Sequence, residues 1–381
     1  QKLDVKGWRP KYAYVFPFVK AEKSIKRLKP RVIQPRRPEH GLEVGRFIRV
    51  IEHRVYSGLA DLCGGPTVMK GYNALGVAKC ICDAWNQFVK PIGLMFDLSA
   101  YDQHCSKPYL EYEHAVYTRL FNHRQSRYLD KLLRCQTVNK GYYFGRDGRL
   151  RYRVVGGRMS GDMNTALGNC LMVTLVTKCL IDHLGIKARI INAGDDTMII
   201  TESHNESLVR GSVDKWFEDY GHICVVETKT ARVLEHIDFC QTRPVWNGQA
   251  YVMCRNFPNC LDKDTLAVSV PHCWKDHWAT VGAGGLALCS GIPVMQEFYK
   301  KLMSLSDKRV KTHSILETGM FRLARGMVSD YRPITSESRA SFWRAFGVGP
   351  DLQCEYEYYY QSIGVGERQL GVTQTPYVLR F

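Results

Sequence analysis

Two apolar runs that end in carboxylates constrain this chain more than any other feature. Gly93-Leu94-Met95-Phe96 runs straight into Asp97, with Asp102 five residues further on. Gly194-Asp195-Asp196 lies between two short Ile-rich segments, Lys187 to Ile191 and Thr197 to Thr201. Short apolar runs bounded by turn residues read as buried strands, and the second pair reads as a tight hairpin around the double acid. Ionised carboxylates at the end of a buried strand are costly unless a cation compensates them. Taken alone, Gly-Asp-Asp is equally an ordinary turn, because Asp and Gly suit hairpin backbone angles. Two adjacent strands presenting Asp at the same end change that balance. They bring carboxylates close enough to take hard divalent cations through oxygen, with phosphates and water completing the shell. Two cations held in this way can activate an attacking 3′-hydroxyl and stabilise a leaving pyrophosphate.

Between the two acidic tips stands Ser160-Gly161-Asp162-Met163-Asn164-Thr165-Ala166-Leu167-Gly168-Asn169, a Ser-Gly loop entering a helix. Thr165 and Asn169 are four apart and share a helix face, so with Ser160 they can offer hydroxyl and amide groups together. An N-cap followed by two polar helix residues is the plainer reading. Elsewhere the pattern predicts helices over Lys107–Phe121, Gln125–Gln136, Asp162–Leu184 and Glu206–Tyr220. It predicts a β-hairpin over Gly141–Val155 and strands at Ile223–Val226 and Ile237–Cys240. Beyond Pro258 it is mostly helical, with Trp274, Trp278, Phe298, Tyr299, Phe321 and Trp343 as expected core anchors.

The chain has 381 residues, 45% hydrophobic and 24% charged, which excludes a disordered tail or a fibrous repeat. Its 53 Lys+Arg against 37 Asp+Glu leave a formal charge of +16, pointing to a polyanion: nucleic acid first, an acidic membrane surface second. Eight Lys/Arg and one acid, Glu22, lie between Lys20 and Arg37, where Pro30 and Pro35 oppose a helix and favour an extended basic loop. The 14 Cys are scattered, without zinc-finger spacing, and read as reduced thiols in a cytosolic compartment. The apolar stretch Cys170–Ile181 reads as too short to span a bilayer. Gln1 in place of an initiator Met is what a fragment or processed product would show, so a membrane anchor is expected only upstream.

In this order and spacing the elements resemble one family, the right-hand RNA-dependent RNA polymerases of positive-strand RNA viruses. Asp97-x4-Asp102 is similar to its motif A, Ser160-Gly161-x3-Thr165-x3-Asn169 to motif B and Gly194-Asp195-Asp196 to motif C. Phe18–Lys23, Pro30–Arg36, Met69-Lys70-Gly71 and Phe239-Cys240-Gln241 resemble more narrowly the plant tombusvirus and carmovirus-like group. The likeness runs from about Tyr14 to Trp246 and is loose beyond.

The resemblance implies an α+β fold of fingers, palm and thumb, with an antiparallel-sheet palm and a mainly helical thumb. Fingers would occupy 1–65 and 105–159, palm 66–104 and 160–245, and thumb 246–381. It implies that Asp97 and Asp195 hold two Mg²⁺ ions (Mn²⁺ as a substitute), assisted by Asp196. Asp102, Ser160, Thr165 and Asn169 would sense the ribose 2′-hydroxyl that marks RNA precursors. Arg31 would grip the incoming triphosphate with Lys23, Lys29 and Arg37 as neighbours, since so anionic a group calls for several donors. Lys229 would protonate pyrophosphate, with Arg232 competing for that role. Lys70, Gly161, Phe239, Cys240 and Gln241 would contact RNA, the last three at the growing strand's 3′ end. The implied partners are RNA template and product, nucleoside triphosphates and viral and host factors. The implied place is the host cytoplasm, at membrane-associated replication complexes.

Two other classes stand beside this reading: a non-catalytic RNA-binding scaffold and a reverse transcriptase. The complete acid set opposes the first; Gly194 and Asn169, where a Tyr-x pair and a ribose-blocking aromatic are expected, oppose the second. A helicase is disfavoured because G-x-x-x-x-G-K-[ST] does not occur. Tyr356, Tyr358, Tyr359 and Tyr360 are either a stacking platform for an initiating nucleotide or aromatic packing.

Overall fold

The computed structural model describes residues 7–23, 30–146, 148–309 and 319–363; Lys29 lies outside them. The chain divides into two units, one of Gln1–Lys20, Lys29–Met69 and Phe88–Thr230, the other of Ala21–Leu28, Lys70–Gln87 and Ala231–Phe381. Both mix helix and strand.

In the first unit the strands are β1 (Phe18–Val19), β2 (Val32–Ile33), β3 (Pro91–Ser99), β4 (Val138–Gly145), β5 (Gly148–Val155), β6 (Ala188–Asn192), β7 (Thr197–Glu202) and β8 (Ile223–Val226). Four form an antiparallel sheet in the order β6-β7-β3-β8. Strand alternation decides what β3 does. Ile92, Leu94, Phe96 and Leu98 share one face and pack with Val173, Val176 and Leu180 of helix Thr165–Leu184 and with Phe217 of helix Val213–Asp219. Asp97 falls between two of these and so points to the other face, where it is exposed. β3 does not stop at Asp97, as the sequence suggests, but runs on to Ser99 because β8 pairs with it there, Asp97 opposite Val225.

Helix Thr165–Leu184 is the spine of this unit. By length and composition it would be long enough to cross a membrane, although its apolar middle reads as too short, but it is mostly buried against protein. It begins at Thr165 and not at Asp162, because the Asp162 carboxylate is taken by Arg36 and leaves no charge to start the helix. The expected single helix over Glu206–Tyr220 is two, Glu206–Arg210 and Val213–Asp219, interrupted at Gly211-Ser212, both poor helix residues. The hairpin over Gly141–Val155 forms as β4 and β5, and helices Lys107–Thr118 and His123–Thr137 lie close to expectation.

A buried ion pair fixes the region around the spine. Arg158 and Glu113 are both buried, and Arg158 donates through Nη1 and Nη2 to the two Glu113 carboxylate oxygens, its Nε having no partner among the described residues. Asn164 Nδ2 donates to Glu113 Oε1 at 2.9 Å, and Gln136 Nε2 to Asn164 Oδ1 at 2.8 Å. Burial pushes the Glu113 carboxyl up, but the charge and hydrogen bonds of Arg158 outweigh it and hold Glu113 below its usual range. Gly168 makes room: a Cβ there would sit 2.4 Å from Glu113 Oε1.

In the second unit β9 (Thr242–Trp246) and β10 (Tyr251–Arg255) form a hairpin with helix Ala74–Trp85 against β10. At Ile237–Cys240, expected as a strand, the chain follows a 3₁₀ turn, Leu234–His236, with an irregular segment whose one bridge joins Phe239 to Thr242 across a tight turn, and the strand begins at Thr242. Pro244 hides β9 in the sequence, yet a two-stranded ribbon tolerates it because one edge needs no N–H. Helices Trp274–Cys289 and Met295–Met303 approach closely through Gly282 and Gly285; a Cβ at Gly285 would lie 2.1 Å from the Tyr299 ring. Trp278, Phe298 and Tyr299 are buried as expected, while Trp343 is exposed. Tyr356 packs edge-on against Phe257 and Tyr360 against Phe298, whereas Tyr358 and Tyr359 face solvent.

Removing one member of the buried pair strands the other's charge, which costs about 3–5 kcal/mol. Glu113→Ala should therefore lower unfolding stability by that order in urea titrations, while Lys79→Ala, in an exposed i,i+4 pair with Asp83, should leave it nearly unchanged.

Candidate active site

The two acidic tips meet because of strand register. β3 pairs with β7 up to Phe96 opposite Thr197, which leaves Asp97 beside the β6–β7 turn. Ala193 N donates to Asp196 O at 2.9 Å, so Gly194 and Asp195 form the two-residue tip, Gly194 with φ of 111°. Asn192, wholly buried, braces the turn: its Nδ2 donates to Gly194 O at 2.7 Å and Thr197 Oγ1 at 2.8 Å, and its Oδ1 accepts from Gly194 N. The sequence reading overlooked Asn192, although an Asn two residues before a Gly is a known Asx-turn signal.

Burial and the nearby Asp195 charge raise the Asp97 carboxyl above its usual range. The pair has the makings of a cation site: hard oxygen donors, mutual repulsion, and exposure at the end of an otherwise buried sheet. Among the described residues no group of three or more His, Cys, Asp or Glu forms a closed metal cage, so oxygens from elsewhere would complete the coordination.

Asp102 follows on a one-turn helix, Tyr101–His104, entered through Ala100 in the left-handed conformation at φ of 50°. Tyr101 anchors that turn beneath the surface, stacked at 4.7 Å on His222. Burial, then the charges of His104 and Arg158, hold His222 down at about 4, so the stacked imidazole is neutral at physiological pH. Asn169 Nδ2 donates to Asp102 Oδ1 at 3.1 Å, and Arg158 N donates to Asp102 O at 2.7 Å. Burial raises the Asp102 carboxyl, with the Asn169 hydrogen bond and Arg158 charge opposing that shift. Asn169 Oδ1 is buried and has no hydrogen-bond partner among the described residues, an acceptor left unsatisfied.

Of the four residues expected to act together at a ribose, Asp102 and Asn169 touch. Thr165 Oγ1 donates to Met159 O at 2.9 Å, and Ser160 Oγ accepts from Gln34 N at 3.2 Å. The Ser160-Gly161 loop thus rests on the basic segment. A Cβ on Gly161 would lie 2.6 Å from Pro35 Cα, so only glycine fits this approach.

The basic segment divides its cations between two tasks. Arg36 is buried and cannot face a nucleotide, contrary to the expectation for the run as a whole. Its Nε donates to Asp162 Oδ1, Nη2 to Asp162 Oδ2 and Asn139 Oδ1, and Nη1 to Ala13 O and Cys135 O. Nothing in the sequence separates Arg36 from its neighbours, because its partners lie about 100 residues or more away, apart from Ala13. Arg31 is exposed, its carbonyl accepting from Lys20 N at 2.9 Å, and Arg37 is exposed over the Phe16 ring at 5.6 Å. Lys229 is exposed after β8, in a loop that Arg210 holds through Glu227 O and Thr230 Oγ1.

Within the second unit, Lys23 donates to Lys263 O at 3.1 Å and Lys70 is exposed. Cys240 and Gln241 form an exposed two-residue turn between Phe239 and Thr242, both with positive φ, 53° and 58°, unusual without glycine.

The profile of a family described as viral RNA-dependent RNA polymerase matches residues 1–367. The RNA-directed RNA polymerase of Melon necrotic spot virus is 40% identical over 364 residues, 92% of this chain and 45% of the relative. That of Maize chlorotic mottle virus is 38% identical over 354 residues, 91% and 36%. That of Carnation mottle virus is 40% identical over 353 residues, 89% and 45%. The chain spans less than half the length of these relatives.

A carboxyl with a raised folded-state pKa stabilises the fold in its protonated form. That contribution is complete below the ordinary carboxylate range and is lost as pH rises through the raised values. The metal-free chain should therefore lose the Asp97 and Asp102 contributions as pH rises above the ordinary carboxylate range. Asp195→Asn should shrink that loss by at most about 1 kcal/mol, given solvent screening, as read from urea unfolding across pH. Mg²⁺ or Mn²⁺ should raise the wild-type unfolding midpoint more than that of Asp195→Asn; equal shifts would sink the carboxylate pair as the holder of the ion.

Proposed function

The chain belongs to the viral RNA-dependent RNA polymerase family, and on that premise we propose that it carries out template-directed RNA synthesis for a positive-strand RNA plant virus. The observation that carries this reading is the meeting of Asp97 with the Asp195–Asp196 turn beside the Asp102–Asn169 pair. The family's right-hand polymerase fold would make the β6-β7-β3-β8 sheet the palm, flanked by fingers in 1–65 and 105–159, with the thumb in 246–381.

Divalent ions, which this family generally uses, would be held by Asp97 and Asp195 with help from Asp196, and would supply Lewis-acid activation of a 3′-hydroxyl and charge neutralisation at pyrophosphate. The chain's own groups do the rest. Asn169, whose Oδ1 is an unsatisfied acceptor, accepts a hydrogen bond from the ribose 2′-hydroxyl, and Asp102 holds the Asn169 amide in register. Ser160 and Thr165 shape the loop above that site through their bonds to Gln34 and Met159, and Gly161 lets it reach template RNA. Arg31 binds the incoming triphosphate, with Lys23, Lys29 and Arg37 adding positive charge. Lys229 donates the proton to departing pyrophosphate, and Lys70, Phe239, Cys240 and Gln241 contact RNA. RNA and nucleoside triphosphates are the substrates. Viral and host factors join at membrane-associated complexes in the host cytoplasm.

With a short primed template, Asp195→Ala should abolish extension while single-stranded RNA binding changes less than about threefold. Substantial residual synthesis would contradict the assignment. Asn169→Ala should lower the ribo- over deoxyribonucleotide preference by about tenfold or more, as ratios of kcat/KM, since a paired hydroxyl is lost; an unchanged ratio would exclude its 2′-hydroxyl role.

A further inference from the structure

The β4–β5 hairpin carries five Lys/Arg and one acid within 18 residues, and the motif readings give it no task. Antiparallel register places its cations with its rings. Phe144 is opposite Arg149, Tyr142 opposite Arg151 and Lys140 opposite Arg153, and each opposed pair shares one face. Arg149 lies over the Phe144 ring at 5.9 Å and Arg151 over Tyr142 at 5.5 Å. The Tyr14–Phe16 segment extends this face beyond β4: Val15 bridges Gly141, and Tyr14 and Phe16 pack against Tyr142 at 5.1 and 6.4 Å. The opposite face is the one that ties the hairpin down, through buried Asn139 and the Tyr152 hydroxyl bonded to Gln34.

Two features of the outer face call for a ligand. Lys140 and Arg153 are like charges directly opposed, which is destabilising without an anion, and neither has an acidic partner among the described residues. Phe144 is 65% exposed beside the turn at the tip of a cationic ribbon, where no apolar neighbour covers it. Rings two positions apart on a strand are about 7 Å apart, room for one splayed base each, with guanidinium groups beside them for phosphates. Sheets that bind single-stranded RNA combine aromatic platforms and cations in this way.

We propose that this face is a single-stranded RNA-binding surface, in which Phe144 and Tyr142 stack bases while Arg149, Arg151 and Arg153 hold phosphates. It gives the RNA an attachment independent of the carboxylate site, and it rests on the polymerase reading only in naming RNA as the polyanion.

The test is fluorescence anisotropy of a labelled single-stranded RNA of about 20 nucleotides with the full chain over a salt series, beside extension of a short primed template. The triple variant Arg149→Ala/Arg151→Ala/Arg153→Ala should bind about tenfold or more weakly and flatten the log Kd–log salt slope by about 2, at roughly 0.7 per phosphate contact. Phe144→Ala should weaken binding about fivefold with the slope unchanged, and Phe144→Tyr should restore it. Unchanged affinity in both the triple variant and Phe144→Ala overturns the proposal. So does a loss confined to anionic phosphatidylserine vesicles with RNA affinity intact, which would make the face a membrane contact. Normal RNA binding through this face with no extension by the wild-type chain would instead defeat the polymerase reading and leave this one standing.

Discussion

The buried Glu113–Arg158 pair is the interaction on which the first unit's chemistry depends. A guanidinium and a carboxylate taken out of water are held by each other and by the amide hydrogen bond that Asn164 donates to the carboxylate. Their geometry reaches outward in three directions. Asn164 ties the pair to the start of the spine helix, the Arg158 amide holds the Asp102 carbonyl, and Gly168 is kept free of a side chain so that the carboxylate fits. Glu113, Arg158, Asn164 and Gly168 are all buried. They set the distance between Asp102 and Asn169, and a shift of the pair would be felt there first.

A second buried pair repeats the pattern at the loop. Arg36 saturates its donors on Asp162, Asn139 and two carbonyls, so the most basic stretch of the chain is anchored by one of its own cations. The remaining positive charge is then divided between exposed positions such as Arg31 and the outer face of the β4–β5 ribbon. Net charge alone indicated a polyanion; burial separates the cations that hold the fold from those left to meet one.

What could be read from sequence followed local physics. The hairpin around Asp195 was legible because Gly and Asp mark turns, and β3 because four apolar residues precede a charge. Helices near Lys107 and His123 showed their apolar spacing. What could not be read was set by distant partners. The extension of β3 to Ser99 needs β8, more than 120 residues later. The late start of the spine helix depends on Arg36, and β9 was masked by a proline that an edge position excuses. The same holds at the candidate site, where residue types were visible but the Asn169–Asp102 bond, the diversion of Thr165 to Met159 and the bracing of the turn by Asn192 arise only in three dimensions.

The spine helix also sets an order of assembly. Its apolar faces are covered by β3, made about 70 residues earlier, and by β7 and the Phe217 helix, made later. While the chain is being synthesised, a helix apolar enough for a lipid bilayer must therefore wait beside a half-paired β3 until residue 226 has emerged. Pairings of such sequence separation form slowly and leave sticky edges exposed. The stage most prone to misassembly thus lies between Leu184 and Val226, and a ribosome pause or chaperone acting in that interval would have more influence on yield than one acting anywhere before it.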